Sequence, residues 1–275
     1  MKKFLKNFKI IRRLYDAYIA SRYFNNKYIK IIKWMFNSNE DTNYTYDLEE
    51  KNLDELYKLL ENIFEINYSK IKDYSEELIN NSKFKDYLKN KIETSDFKKF
   101  ADTEIKYSRR IGWYVIARII KPKLIIETGV DKGMGSVILS EALIKNRQEG
   151  FKGKYLGTDI NPEAGYLFDD LYRKNGKILY GDSIESLKKI DEPVDLFIND
   201  SDHSAKYEAD EYKTMISKLS KNSVILGDNS HSTDELLKFS IEHGRSFILF
   251  RERPKNHWYP GAGIGISFIK KWKFH

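Results

Sequence analysis

The stretch LIIETGVDKGMGS, residues 124–136, decides the fold that the sequence predicts. It opens with the apolar run Leu124–Ile126, stops at the acid Glu127, and then contains Gly129, Gly133 and Gly135. An apolar run followed by a glycine-rich turn and helix-like sequence is typical of a buried strand joined to its helix. Glycine has no Cβ, so it permits a tight turn and lets a ligand approach the backbone. The stretch therefore predicts a strand, a turn and a helix, with a ligand site between them.

The glycine spacing and the acid together limit the class of ligand. The pattern G-x-x-x-G-x-G matches neither the phosphate-binding G-x-x-x-x-G-K-[ST] nor the dinucleotide-binding G-x-G-x-x-G. A carboxylate at the strand end, Glu127, would repel a pyrophosphate and attract a cation. The sequence therefore disfavours a NAD-dependent oxidoreductase and favours a ligand with a sulfonium or ammonium group, such as S-adenosylmethionine.

Seven short apolar runs predict the strands of one sheet. They lie at 123–127, 154–158, 177–180, 194–199, 223–227, 246–251 and 262–269. Each of the first five is followed by helix-like sequence, and this alternation predicts helices packed on a mostly parallel sheet. The last two runs face each other across RERPKNHWYPG, which predicts a hairpin. The expected fold class is α/β, a Rossmann-like doubly wound seven-stranded sheet whose last strand is antiparallel.

The first hundred residues predict a helical extension. Three segments there show apolar residues at helical spacing: 1–36, 53–64 and 78–92. No strand pattern precedes residue 123, and a further helix is expected over 104–120 because Pro122 ends its pattern. We therefore predict two units, a helical extension over 1–100 and an α/β domain over 101–275.

The composition excludes several classes of site. The chain has 275 residues, 41% of them apolar, and no cysteine. Disulfides, thiolate nucleophiles and cysteine metal sites are therefore excluded, and a cytoplasmic setting is expected. No apolar run approaches the ~20 residues that span a bilayer. Charges interrupt the N-terminal stretch every few residues, unlike the apolar core of a signal peptide.

The net charge of +7 is concentrated at the N-terminus. Residues 1–36 hold ten Lys and Arg against one acid, Asp16, which gives +9 for that segment. Basicity confined to one segment does not predict a nucleic-acid partner. A basic, amphipathic helix fits an anionic membrane surface, here the inner face of the membrane. The alternative, which we favour from the sequence, is that the apolar side of this helix packs on the catalytic domain or on a second subunit in a homodimer.

Motifs follow the ends of successive predicted strands. They read ETGVDKGMGS at 127–136, YLGTDI at 155–160, ILYGDSIESL at 178–187, VDLFINDSDHSAKYEADEY at 194–212 and SVILGDN at 223–229. In this order they resemble the class I S-adenosylmethionine-dependent methyltransferases, over roughly residues 104–270. Within that family they resemble the small-molecule and glycan O-methyltransferases, which include macrocin O-methyltransferase and the cephalosporin hydroxylase-like and rhamnosyl methyltransferase-like sequences.

The resemblance implies the residues that hold the cofactor. Asp159 is similar to the acid that bonds the ribose hydroxyls, and Asp182 and Ser183 to the residues that reach the adenine. The full implied set is Glu127, Gly129, Gly133, Ser136, Asp159, Asp182, Ser183 and Asp200. Each also has a structural reading, since Gly133 suits an ordinary turn and Asp159 and Asp182-Ser183 suit helix caps. Their placement around one predicted cleft favours cofactor binding.

A second group of polar residues follows the fourth and fifth strands. The resemblance to catechol-type O-methyltransferases implies that Asp200, Asp228 and Asn229 bind Mg²⁺ through oxygen atoms. His203 or His231 would then act with Asp200 at the catalytic end and remove the proton of an acceptor hydroxyl, because the pKa of imidazole lies near the operating pH. The alternative is that both segments form turns that bind no metal.

The expected reaction is methylation of a hydroxyl on a carbohydrate, such as a sugar or glycan, or on a small metabolite. Amino-methylating DNA enzymes carry [ND]-P-P-[FYW] after the fourth strand, where this chain has Asn199–Asp202. The alternative function is a catalytically silent S-adenosylmethionine-binding or scaffold protein of a glycan-assembly system. Trp258 and Tyr259 would either stack on a sugar ring or cover the core.

Overall fold

The computed structural model describes residues 9–38, 46–102, 104–169, 171–228 and 230–270. Its strands are β1 (Leu124–Thr128), β2 (Lys154–Asp159), β3 (Gly176–Tyr180), β4 (Val194–Asn199), β5 (Leu219–Asp228), β6 (Ser246–Phe250) and β7 (Ile264–Phe268). They form one sheet in the order β3-β2-β1-β4-β5-β7-β6. The first five are parallel, and β7 runs antiparallel between β5 and β6. The predicted fold class is confirmed.

Helices cover both faces of the sheet. Those that follow the extension are α5 (Arg110–Ile120), α6 (Met134–Gln148), α7 (Ser183–Lys188), α8 (Ala205–Met215) and α9 (Glu235–Glu242). Because successive strand residues point to opposite faces, Ile125 belongs to the core cluster under α5 and α6, and Ile126 to the cluster under α7–α9. Burial on both faces explains the continuous apolar runs in the sequence.

The extension contains four α-helices, α1 (Lys9–Asn37), α2 (Glu50–Phe64), α3 (Tyr68–Ile79) and α4 (Ser82–Glu93). The helix predicted over 78–92 is present but begins later, at Ser82, because α3 ends at Ile79 and a new helix starts after Asn81. The Oδ1 atom of Asn81 accepts a hydrogen bond of 3.1 Å from the Phe84 amide, which caps the new helix. None of the described helices combines the length and the apolarity needed to cross a bilayer.

The helix expected over 104–120 begins six residues later, at Arg110. Ser108 has a left-handed backbone, with φ of 47°, and its amide bonds the Tyr46 carbonyl oxygen at 2.9 Å. This tie to the extension prevents a helical start before residue 109. As a result, Arg109 and Arg110 lie at the beginning of α5.

The crossover after β2 also differs from the prediction of a helix after each of the first five strands. Its described residues form turns and the short 3₁₀ helix Tyr172–Asn175, with no α-helix. The Asn161 side chain accepts from the Glu163 amide at 3.0 Å, Pro162 lacks an amide donor, and Gly165 has a φ of 84°. These local turns compete with a helix.

The extension shares its core with the sheet. Leu60 of α2 and Leu88 of α4 are fully buried in the same hydrophobic cluster as Ile125 and Leu226 of the strands. The domain boundary at residue 100 stays a prediction.

Because of this shared core, we expect Leu60→Ala to lower the free energy of unfolding by about 2–5 kcal/mol. Urea unfolding followed by circular dichroism and by tryptophan fluorescence should show one transition whose midpoint shifts as a whole. Leu59→Ala, at a half-buried neighbour, is the control and should cost less. Two separate transitions, of which Leu60→Ala shifts only one, would instead mean that the extension folds independently.

Candidate functional site

A cavity of about 670 Å³ opens where the carboxyl ends of the parallel strands meet. The register aligns Thr128 with Thr158 and with Asn199, so the residues that follow β1, β2 and β4 become neighbours. The volume lies within the ~300–1,000 Å³ typical of small-molecule sites. The location is the one where doubly wound sheets bind their ligands.

The wall of the cavity is strongly acidic. Of the described residues that line it, seven carry carboxyl groups and two carry guanidinium groups. The acids are Glu127, Asp131, Asp159, Asp182, Asp200, Asp202 and Asp228, and the bases are Arg109 and Arg110. Such a wall attracts a cationic ligand and repels a phosphate.

Gly129 brings the loops after β1 and β4 together. It has a φ of 78°, and a Cβ on it would lie 1.9 Å from the Asp200 carbonyl oxygen. The Asp200 amide in turn donates to the Thr128 carbonyl at 3.0 Å. Only glycine fits this contact, so the glycine-rich loop fixes the position of Asp200 at the cavity.

Glu127 is buried between β1, β2 and α6, with one side at the cavity wall. It accepts hydrogen bonds from the Tyr155 hydroxyl and, at 3.2 Å, from the Ser136 hydroxyl. A Cβ on Gly135 would lie 2.0 Å from its Oε1 atom. Burial raises the pKa of Glu127 to about 7. The carboxyl group is therefore held tightly against the start of α6.

Two residues of the predicted cofactor set lie outside the cavity wall. Ser136 is fully buried and bonds Glu127 and the Tyr155 hydroxyl. Gly133 has a φ of 94°, and a Cβ on it would lie 3.1 Å from the Gly165 Cα. The structure gives both residues a packing role, and their contact with a cofactor stays a prediction.

Asp159 lies at the end of β2 on the cavity wall. Its Oδ2 accepts from the Asp131 amide and its Oδ1 from the Asn161 amide, each at 2.8 Å. Each carboxylate oxygen retains a further lone pair, so the group can also accept from two adjacent hydroxyls. The hydrogen bonds from the backbone orient the carboxylate and leave it able to accept further hydrogen bonds from a ligand.

Asp182 and Ser183 lie at the cavity end of β3. The Asp182 carboxylate caps α7 by accepting from the Glu185 amide at 2.9 Å, and it accepts from the Tyr207 hydroxyl at 3.1 Å. Ser183 contacts the Tyr207 hydroxyl at 2.8 Å and donates to Glu211. Asp182 therefore caps α7 and, together with Ser183, also lies on the cavity wall.

Glu211 organises the strand ends from behind the cavity. It is fully buried and accepts from Thr128 at 3.1 Å, from Ser201 at 2.9 Å, and from Asn199 and Ser183. Burial raises its pKa to about 7 despite these donors. Sequence reasoning missed this residue. It lies seven positions, about two helical turns, after Ser204, so the helix predicted after β4 allows it to face the sheet.

The raised pKa of Glu211 predicts a pH dependence of stability. The folded chain holds a proton up to about pH 7 that the unfolded chain releases near pH 4.5, so stability falls as the pH rises through this window. The contribution is on the order of 3 kcal/mol. We expect Glu211→Gln to remove this part of the pH dependence in urea unfolding, whereas exposed Glu50→Gln should leave it intact. An unchanged pH profile in Glu211→Gln would contradict the assignment.

Asp200 and Asp228 lie together, as predicted, but an arginine lies against them. The Arg109 Nη2 atom donates to Oδ2 of Asp228 at 2.8 Å and lies 4.0 Å from Oδ2 of Asp200, and its Nε contacts Oδ1 of Asp228. Burial, followed by the charge of Asp228, raises the pKa of Asp200 well above its usual range. The guanidinium group therefore already supplies positive charge to the carboxylate pair.

The ligand set for a divalent ion is present in part. Ligand atoms of Asp200, His203 and Asp228 lie within 4.8 Å of one another, and Asn229 lies outside the described residues. Both oxygens of Asp228 face the guanidinium group of Arg109, however. With Arg109 in this position, the residues do not fit a divalent ion that is held by Asp228.

Of the two candidate bases, His203 reaches the cavity. It is the one histidine among the described residues of the wall, and its Nε2 lies 3.8 Å from Oδ1 of Asp200. His231 is exposed and lies outside the wall, and burial of part of its ring, followed by the charge of Arg251, lowers its pKa. The structure therefore brings together Asp200 and His203 but not His231.

Arg109 and Arg110 were missed by the sequence reasoning. The only signal was a pair of basic residues at the start of the segment before β1, in a domain whose motifs are acidic.

Trp258 and Tyr259 join an aromatic cluster, with ring centroids 6.0 Å apart, and Tyr259 reaches the cavity wall.

Comparison with known proteins agrees with this geometry. Residues 126–230 match a family model described as a methyltransferase domain. The chain is similar to cofactor-bound Rv0187 from MTB, at 14% identity and a TM-score of 0.52, over 70% of this chain and 93% of that one. It is also similar to the O-methyltransferase TomG from Streptomyces achromogenes, involved in tomaymycin synthesis and solved with SAM, at 12% identity and a TM-score of 0.50, over 67% and 90%.

No curated protein matches the chain. At such low identities the two solved structures establish the fold, and the family match covers the segment from β1 through the end of β5. Because the strand order and the family match agree, the chain carries a methyltransferase domain over residues 126–230, on a sheet with the fold of these solved structures.

Proposed function

We propose that this protein transfers a methyl group from S-adenosylmethionine to a hydroxyl oxygen on a sugar, a glycan or a small metabolite. The cofactor supplies the methyl group on a positively charged sulfur. The observation that carries the proposal is the wall of the cavity, where seven carboxyl groups face two guanidinium groups. This charge suits a cationic donor without phosphate.

The residues at the ends of β2 and β3 would hold the donor. Asp159 would accept from both hydroxyls of the ribose, since its carboxylate is already oriented by two backbone amides. Asp182 and Ser183 would lie against the adenine. Gly129 keeps the loop after β1 in contact with that after β4, so the two loops form one wall against which the rest of the molecule would lie.

The acceptor side favours oxygen over the amino group of a base. The Asn199 side chain, which lies where DNA amino-methyltransferases start their motif, donates to Glu211 behind the cavity. His203 lies on the wall and would take the proton from an acceptor hydroxyl. Oδ1 of Asp200 lies 3.8 Å from its Nε2, and only the ionised form of this carboxyl group would stabilise the resulting imidazolium.

We propose further that Arg109 supplies the positive charge that a metal provides in catechol-type enzymes. A guanidinium group has five N–H donors, and the pair with Asp228 engages only its Nε and Nη2 atoms. Arg109 lies on the cavity wall, so its remaining donors could stabilise the developing oxyanion of the acceptor. Methyl transfer would then need no divalent ion.

A second candidate is magnesium-assisted transfer. It is favoured by the cluster of Asp200, His203 and Asp228, and it requires Arg109 to withdraw from Asp228. Activity in excess chelator separates the two. Full activity supports the arginine, whereas loss of activity that added Mg²⁺ restores supports the metal.

We expect His203→Gln to lower kcat about 10²- to 10⁴-fold and to leave the affinity for S-adenosylhomocysteine unchanged. Its matched control is His231→Gln, at a histidine outside the wall, which should retain activity. The measurement is transfer of labelled methyl groups to an acceptor identified in a panel of hydroxylated sugars and metabolites. The reverse pattern would move the role of base to His231.

The proposed function is tested by a thermal-shift titration with S-adenosylmethionine, S-adenosylhomocysteine and NAD. We expect the first two to raise the melting temperature and NAD to leave it unchanged. Stabilisation by NAD alone, or by none of the three, would reject the proposal. Binding without transfer to any acceptor would favour the catalytically silent alternative.

A further inference from the structure

Helix α1 exposes an unusual number of large apolar side chains. Eleven of them are between 37% and 77% exposed: Ile10, Ile11, Leu14, Tyr15, Tyr18, Tyr28, Ile29, Ile31, Ile32, Met35 and Phe36. Isolated exposed apolar residues are normal, but a surface with this many on one helix marks an interaction site.

Most of these side chains form one stripe along the helix. Ile11 and Ile29, Leu14 and Ile32, and Tyr18 and Phe36 are pairs in which the members lie 18 residues apart in the sequence. At about 3.6 residues per turn, this spacing is five whole turns, so each pair shares one direction. The stripe therefore consists of two groups on one side of α1, at 11–18 and at 29–36.

The opposite side of α1 contacts the rest of the protein. Trp34 follows Ile32 by two positions, about 200° around the helix. Its ring packs edge-on against Trp258, with centroids 5.5 Å apart, and against His257 at 6.4 Å. At the end of the helix, Ser38 donates to Asp102 at 2.7 Å. The helix is thus anchored by its C-terminal end, with the apolar stripe turned away from the body.

The positive charge of α1 favours an anionic partner. Residues 9–37 contain seven Lys and Arg and one acid, Asp16, which gives a net charge of +6. A second copy of the helix on the stripe would bring like charges together, with almost no acids to form pairs. An anionic lipid surface accepts both the apolar stripe and the basic flanks.

We propose that α1 docks this protein on an anionic membrane surface, lying in the interface with the stripe of Ile11, Leu14, Tyr18, Ile29, Ile32 and Phe36 among the lipids. Arg13, Arg22, Lys30 and Lys33, which are exposed, face the headgroups. The Trp34 anchor is adjacent to the aromatic cluster that reaches the cavity through Tyr259. The docking surface and the methyltransferase cavity are therefore connected through one loop.

The test is flotation of the full-length chain with vesicles of phosphatidylcholine, with and without phosphatidylglycerol. Binding is expected only with the anionic lipid, and high salt should weaken it. Ile29→Ser/Ile32→Ser should lower the partition coefficient roughly tenfold or more for each isoleucine. Lys30→Gln/Lys33→Gln should lower it about fivefold for each charge.

Ile241→Ser, at a residue 72% exposed on α9, is the matched control and should bind like the unaltered chain. Binding that Ile29→Ser/Ile32→Ser does not reduce would overturn the proposal. So would a dimer in light scattering that these substitutions dissociate, together with no vesicle binding. Stabilisation by S-adenosylhomocysteine, measured in every variant, keeps this result separate from the test of the cofactor site.

Discussion

Replacing Arg109 with leucine is expected to abolish methyl transfer and to destabilise the fold by about 3–5 kcal/mol at mildly alkaline pH. The substitution leaves Asp200 and Asp228 without the cation whose Nη2 lies 2.8 Å from Oδ2 of Asp228 and 4.0 Å from Oδ2 of Asp200. Burial, followed by the charge of Asp228, raises the pKa of Asp200, so lowering the pH neutralises this group and the loss of stability should shrink. The free energy of unfolding in urea, measured across pH, gives the result.

Added Mg²⁺ distinguishes the two roles of this cluster. In Arg109→Leu the freed carboxylates can bind a divalent ion, so Mg²⁺ should raise the melting temperature of the variant and leave that of the unaltered chain unchanged. Arg109→Lys, the matched control, keeps the charge but loses the forked geometry, and it should fold with reduced activity. Stabilisation of the unaltered chain by Mg²⁺ would contradict the assignment of Arg109 as the resident cation.

Replacing Asp159 with alanine is expected to weaken S-adenosylhomocysteine binding about 10²- to 10³-fold, because two charge-assisted hydrogen bonds to the ribose are lost. The variant also frees the amides of Asp131 and Asn161, so its stability must be measured beside its affinity. Isothermal titration calorimetry gives the affinity and urea unfolding gives the stability.

Asp159→Asn separates the two effects of that substitution. It keeps one oxygen acceptor and nearly the same shape, so an intermediate loss of affinity is expected. Asp191→Ala, at an exposed acid outside the cavity wall, should bind normally. Normal affinity in a folded Asp159→Ala would exclude contact between this carboxylate and the ligand.

The sheet was predictable because each of its strands is indicated by a pattern within a short segment of sequence. Buried parallel strands give continuous apolar runs, and the acids Asp159, Asp200 and Asp228 directly follow or end such runs. Once the strands are parallel, their ends must meet at one edge, so these acids gather without further information. The same logic placed Gly129 at the turn, where the Asp200 carbonyl excludes any side chain.

The rest of the site depends on contacts between distant segments. Arg109 enters the cavity because Ser108 bonds Tyr46, a tie between the extension and the domain that no periodicity reveals. Glu211 accepts hydrogen bonds from four donors on three separate segments, and nothing in the sequence distinguishes such a residue from any other helical glutamate. The break at Asn81 was readable in principle, since asparagine favours helix caps, but the apolar spacing continued across it.

The measurement that tests the central claim most directly is a crystal structure with S-adenosylhomocysteine at a concentration that saturates the thermal shift. We expect the ribose hydroxyls to lie on Asp159, the adenine to lie beside Asp182 and Ser183, and Arg109 to remain paired with Asp228 when Mg²⁺ is present. An empty acidic cavity, with the ligand bound elsewhere or not at all, would contradict this expectation.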